Sequence, residues 1–225
     1  MTSRTAPCFR STKRTIAGML SIPQEQHTII HFRSSIMSRS TYTAFQRHLL
    51  SFSTPTTPPK LTFLSGLRAA VSLGLDFPVA VVLSVSLRLM YAPYPYIFST
   101  INIESIPHSL HRTQLSDAKL PKQDYTCSEL LALLKFEPRR GFIKHKIDQG
   151  HVVGFWTMAA SARTHKVSIE DVERFQQGEW ENAVVNRRRG RDDVLPLWRG
   201  GPIWASGHSW AVRKLLGVRV YQSRQ

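Results

Sequence analysis

The sequence predicts a mainly α-helical chain: helix–loop–helix pairs around a short apolar helical hairpin, with a disordered segment at the N-terminus. Three observations carry this. Phe45, Leu49, Leu50 and Phe52 fall at helical spacing on one face, with His48 at its edge. Helix starts are written plainly further on, by Thr126 three residues before Glu129 and by Ser168 three residues before Asp171. The most apolar stretch, residues 66–98, is interrupted by Gly74-Leu75-Asp76-Phe77-Pro78 and so divides into two short pieces.

The hairpin follows from length. Residues 78–90 make thirteen positions with one charge, Arg88. As a helix they span roughly 20 Å at about 1.5 Å per residue. A bilayer core is about 30 Å thick and takes about 20 apolar residues to cross. Joining the two pieces would give enough length, but Asp76 and Pro78 stand at the joint and oppose one straight helix. Two short helices can dip into one leaflet or a lipid monolayer, with Arg68 and Arg88 snorkelling to its surface and Pro78, Pro93 and Pro95 bending the chain. A buried helix pair of a soluble domain is the alternative.

The remaining elements come in order. Residues 1–40 are rich in Ser, Thr and Arg, with six Lys/Arg against one acid, and read as disordered or targeting-like. Residues 53–60, with three prolines, form a loop. Residues 101–117 alternate briefly and then place His108 and His111 behind Pro107. A helix starts at the Thr126 box and is closed by Pro138 and Gly141. Residues 154–162 form an apolar helix, and Ser168 caps residues 169–177, with Gly178 just past the end. The tail from Leu195 to Tyr221 carries Trp198, Trp204 and Trp210, and ends in an amphipathic stretch at 210–216. Those tryptophans suit either a core or an interfacial belt.

Composition narrows the partners. The chain has 225 residues, 42% of them hydrophobic, and a net charge of +15. Residues 1–75 hold one acidic group, Glu25. Such a chain favours anionic surfaces, lipid headgroups before nucleic acid. The run Arg187-Arg188-Arg189-Gly190-Arg191 reads as a solvated helix end or linker, with a lipid-surface or nucleic-acid contact as the lesser reading. Aromatic-interleaved basic motifs are missing, which disfavours nucleic acid. Cys8 and Cys127 give no disulfide framework and point to a reducing compartment. No Walker loop, dinucleotide fingerprint, His-Glu-x-x-His or Gly-x-Ser-x-Gly motif occurs.

Residues 155–180 have the outline of an EF-hand: a helix, a polar loop, the lone hydrophobe Val167, and a second helix carrying acids. With Val167 eighth, the ligand places 1, 3, 5 and 12 hold Ala160, Ala162, Thr164 and Asp171. His165 stands sixth, where Gly is wanted. Asp171 is the single carboxylate, so the loop keeps the shape of the hand without a calcium site.

The order of features resembles the caleosins, the lipid-droplet proteins also called peroxygenases. The matching pieces are Gln46-Arg47-His48-Leu49-Leu50-Ser51-Phe52, Gly66-Leu67-Arg68-Ala69, Gly74-Leu75, Ile106-Pro107-His108-Ser109-Leu110-His111, Val167-Ser168-Ile169-Glu170-Asp171-Val172 and Gln177-Gly178-Glu179-Trp180-Glu181. The resemblance covers a domain of residues 41–182, with its apolar hairpin at 64–98 and a basic, Trp-rich extension at 183–225. It implies a monotopic protein on a lipid droplet or endoplasmic-reticulum surface, with mitochondrial targeting as runner-up. It also implies haem held by His48 and by His108 or His111, and oxygen transfer from a fatty-acid hydroperoxide. Two departures stand against the enzyme. The first hand's loop, STPTTPPKLTFLS, has no carboxylate, and neither loop supports calcium. A non-catalytic lipid-droplet coat or interaction protein is the alternative, and a basic organellar nucleic-acid-associated protein the third.

Overall fold

The computed structural model describes residues 42–92, 99–106, 113–135 and 141–222. The chain divides into two units, Met1–Met37 and Ser38–Gln225, and the described residues all belong to the second. The expectations for residues 1–40, Pro93, Pro95, Pro138, His108 and His111 lie outside the described residues.

Among the described residues the protein is mainly helical, with eight α-helices and four two-residue strands. Helix α1 is Ala44–Leu50. Thr43 opens it: its hydroxyl accepts from the Gln46 amide at 3.2 Å, and the Gln46 side chain accepts from the Thr43 amide at 3.0 Å. The same Gln46 side chain is buried and donates to the Ile106 carbonyl at 3.3 Å. One glutamine thus starts a helix and ties it to the chain 60 residues on.

The expected hairpin is present. Helix α2 is Phe63–Ser72, capped by Thr62, and α3 is Phe77–Tyr91, capped by Asp76. Asp76 and Pro78 begin a new helix here, because the carboxylate takes the Phe77 amide at 2.9 Å and proline needs no donor in a first turn. At the elbow Gly74 has φ +96°, and a Cβ there would lie 2.3 Å from the Tyr221 hydroxyl. That hydroxyl donates to the Gly74 carbonyl at 2.8 Å and accepts from the Leu195 amide at 3.1 Å. Burial pushes the Tyr221 phenol up to about 12.

Strand β1 (Lys60–Leu61) pairs antiparallel with β2 (Ile101–Asn102), setting Leu61 opposite Ile101. Strands β3 (Asp124–Tyr125) and β4 (Val167–Ser168) do the same, with Tyr125 opposite Val167. Each strand runs directly into a helical turn: α2 after β1, the 3₁₀ turn Ile103–Ser105 after β2, α4 (Cys127–Ala132) after β3 and α6 (Ile169–Gln177) after β4. All four paired hydrophobes are buried. The Thr126–Glu129 and Ser168–Asp171 starts form as read.

Helix α5 spans Phe142–Ala159 and starts well before the expected 154–162. Its first turns expose Phe142, Ile143 and Ile147 and carry Gly150, so they show no buried stripe to the eye. Helices α7 (Trp180–Arg188) and α8 (Ala205–Leu216) complete the described set. Trp180, Phe155, Tyr125, Leu130, Val172 and Val184 lie in the core.

The arginine run differs from its expected role as a solvated end. Arg188 is fully buried. It donates to the Met158 and Ala160 carbonyls at 2.9 and 3.2 Å and meets Asp193 at 2.5 Å. Arg187 donates to the Ala159 carbonyl at 2.5 Å. Arg199, also buried, donates to the carbonyls of Thr157, Ala160 and Ser161 at 2.7, 2.7 and 3.0 Å, with its guanidinium 4.9 Å from the Trp156 ring centre. Burial lowers Arg199 to about 10. Three cations therefore converge on the C-terminal end of α5, where free carbonyls and the negative end of the helix dipole face them. Arg189 and Arg191 stay exposed.

Candidate functional site

Helix α3 is apolar on its outer side as well as its inner one. Fully buried are Ala80, Ser84 and Arg88, one per turn, with Val81, Leu83, Leu87 and Tyr91 half-buried against the core beside them. The residues it exposes are Phe77, Val79, Val82, Val85, Leu89 and Met90. Ordinary amphipathic packing puts the aliphatic stripe inside and the polar one in water. The inward polar groups are satisfied locally: Ser84 donates to the Ala80 carbonyl at 2.8 Å, and Arg88 donates to the Ser99 carbonyl. This corrects the expected placement of Arg88, which turns into the protein instead of snorkelling outward. Arg68 and Pro78 are exposed.

The apolar exposure continues beyond α3. Phe63 and Leu64 are exposed at the start of α2. In the tail, Trp204 is 72% exposed and Trp210 62%, and Ile203 and Leu215 are more than two-thirds exposed. The tryptophans of residues 195–221 are thus outside the core. Trp198 is also exposed, 5.9 Å between ring centres from Trp156. Arg213, Lys214 and Arg219 are exposed on or near α8. Among the described residues no helix is long and apolar enough to cross a membrane.

His48 sits on α1 and faces α7. Its Nδ1 contacts the Glu181 carboxylate, which is buried. The Trp180 indole stacks on the imidazole with ring centres 5.6 Å apart, and its N–H lies 3.2 Å from the same Nδ1. A nitrogen that donates to Glu181 has no lone pair left for the indole. The carboxylate is the stronger acceptor, so Nδ1–H belongs to Glu181 and the indole lies alongside. Phe52 closes edge-on at 5.4 Å. In its donor chemistry His48 fits an iron ligand, because a carboxylate on one ring nitrogen orients the other toward a metal. The second histidine of the expected pair lies outside the described residues.

The EF-hand acid has a different fate. Asp171 is 1% exposed and taken by two guanidiniums, Arg174 at 2.9 Å and Arg187. At the matching place after β3, Glu129 pairs with Lys122 at 2.6 Å, which holds its carboxyl down near 2. Among the described residues no group of three or more His, Cys, Asp or Glu could hold a metal ion.

Sequence reading missed Glu181 and the pair of Asp76 with His208, 3.0 Å apart on α3 and α8. Their partners are remote in the chain, so spacing held no signal for them. Compared with known protein families, with curated proteins and with solved structures, the chain finds no match.

Proposed function

We propose that this protein is a caleosin-like, monotopic lipid-surface protein that docks through the outward face of α3, flanked by the tryptophans of α8. The observation that carries the reading is the exposed apolar face of α3, which its packing on the core does not use. An aliphatic stripe turned outward, with Ser84 and Arg88 turned in, gains free energy when it meets hydrocarbon. The net charge of +15 adds attraction to acidic headgroups. The two strand pairs, each strand running into a helical turn, support a scaffold of paired EF-hand-like units whose acids are committed to arginine or lysine.

The test is co-flotation of the full chain with triolein emulsions coated with phosphatidylcholine and phosphatidylserine. The wild type floats. Val82→Glu combined with Leu89→Glu lowers the floating fraction by about tenfold or more, since about 1.4 kcal/mol is a factor of ten, with circular dichroism unchanged. A wild type that stays in the aqueous fraction, or a variant that floats equally well, rejects the reading.

The Glu181–His48 contact favours a second, catalytic version. His48 would hold haem, which when bound supplies oxygen-atom transfer from a hydroperoxide. Glu181 would fix the imidazole by accepting its Nδ1 proton, and Trp180 and Phe52 would keep the ring from turning. Haem reconstitution of the purified chain tests it. A Soret band that changes in His48→Ala supports haem at this residue. Spectra indifferent to His48 leave the surface protein alone.

A further inference from the structure

One face of α8, the tail that follows it and the end of the arginine run enclose a cavity of about 570 Å³. Helix α8 gives Ser209 and Arg213, one turn apart on the same face. The tail after α8 gives Arg219, and the loop after α7 gives Arg191. Among the described lining residues there is no acid. Asp193, two residues past Arg191, is already committed to Arg188 at 2.5 Å and to the Ala162 amide at 2.7 Å.

The walls are fastened from within. The Tyr221 and Gln222 amides donate to the Arg188 and Arg189 carbonyls at 2.8 and 2.9 Å. The Arg191 Nε donates to the Tyr221 carbonyl at 3.4 Å. Val220 and Tyr221 are fully buried, so Arg219 stands on backbone anchored just beyond it. Among the described residues the guanidiniums of Arg213 and Arg219 have no partner.

Ser209 is the sign of an occupant. It is 9% exposed. A serine inside a helix commonly returns its hydroxyl to the carbonyl four residues back, as Ser84 does to Ala80 at 2.8 Å. Ser209 makes no such bond to Ala205, and among the described residues its hydroxyl has no other partner. That hydroxyl is not sealed from solvent, and Ser209 lines this cavity. A nearly buried hydroxyl left free beside unpaired guanidiniums calls for an anion.

Charge and shape choose the anion. Each guanidinium offers paired N–H donors that suit a carboxylate or a phosphate. One carboxylate would answer one of the three cations. A phosphomonoester carries a charge of about −1.5 to −2 and three acceptor oxygens, which three guanidiniums and a hydroxyl can share. A phosphodiester has a single charge and fewer free oxygens.

We infer that this cavity binds a phosphomonoester, held by Arg191, Arg213 and Arg219, with Ser209 donating to one of its oxygens. Its source is a soluble organic phosphate or the exposed headgroup of a lipid of the phosphatidic-acid type. Neither docking through α3 nor haem at His48 requires the site.

The experiment titrates the full chain in two arms. In solution the probes are glycerol 3-phosphate, its methyl diester and glycerate, followed by calorimetry. On vesicles of phosphatidylcholine the probes are phosphatidic acid and phosphatidylglycerol at matched surface charge. A preference of about tenfold or more for glycerol 3-phosphate supports a soluble ligand, and a like preference confined to phosphatidic acid vesicles supports a lipid headgroup. Preference in neither arm overturns the site. Arg213→Lys combined with Arg219→Lys keeps the charge, removes the paired donors and is expected to lower the preference about tenfold. Ser209→Ala, a change a helix tolerates, is expected to weaken binding about tenfold with circular dichroism unchanged. A preference intact in the lysine variant, or an affinity intact in Ser209→Ala, overturns the site, since charge alone would then explain the binding. The first arm contains no lipid layer, so its failure and failure of wild-type flotation are told apart.

Discussion

Tyr221 and Arg199 show how much one side chain can organise. The Tyr221 hydroxyl is bonded on both sides, to the Gly74 carbonyl and the Leu195 amide. Tyr221→Phe leaves both groups buried and unpaired, and is expected to cost about 1–3 kcal/mol in urea unfolding. Arg199→Met strips several carbonyls at the end of α5 of charged donors. It is expected to cost about 3 kcal/mol by the same measurement, because bonds to a charged group contribute about 1.5–3 kcal/mol each and the buried Met recovers part by packing. His208 gives a pH dependence. Burial lowers its pKa and Asp76 opposes that less strongly. Between its lowered folded value and the ordinary histidine value near about 6.5, the unfolded chain therefore binds more protons than the folded one. The contribution to stability is whole above that window and is lost as pH falls through it. His208→Phe should flatten the fall in Tm on acidification, read by thermal melts at several pH values.

At the scale of elements, the hairpin answers to its surface. Single charged substitutions at Val82 or Leu89, both mostly exposed, should leave Tm within about 1–2 °C, since surface changes stay near ±0.5 kcal/mol. The same change at Ala80, fully buried against the protein, should unfold the hairpin. This contrast in melting temperature checks the direction in which α3 faces. The sequence announced that hairpin well, because a cap and a proline at its elbow act within a few residues. The Thr126 and Ser168 starts were legible for the same reason. The inward turn of Ser84 and Arg88 was not: a run of Val, Leu and Ser has the same text whichever side faces in, and only packing decides. The start of α5 was hidden because its first turns bury little. The arginine run misled because charge in a string says nothing of which carbonyls will meet it, and those belong to α5, about 28 residues earlier. For the candidate site, His48 was visible and Glu181 was not, since a contact across 133 positions leaves no local pattern.

For the molecule as a whole, charge and apolar surface act together. On the proposed lipid surface, the exposed cations Arg68, Arg213, Lys214 and Arg219 would feel acidic headgroups over about 10 Å at 0.1 M salt and about 3 Å at 1 M. Flotation with phosphatidylserine-containing emulsions should therefore weaken as salt rises, toward the level seen with phosphatidylcholine alone. Flotation on the neutral emulsion should be indifferent to salt. A density-gradient series in sodium chloride separates the two contributions.

The brace at the elbow also sets a schedule. Gly74 and Tyr221 are 147 residues apart in the chain. At about 5–20 residues per second a ribosome takes roughly seven to thirty seconds to deliver the second after the first. During that interval the greasy pair α2 and α3 exists without its final fastening, and its outward valines are offered before the tail that will brace the elbow. Whatever meets it then, a chaperone or the face of a lipid layer, meets the hairpin before the tail does.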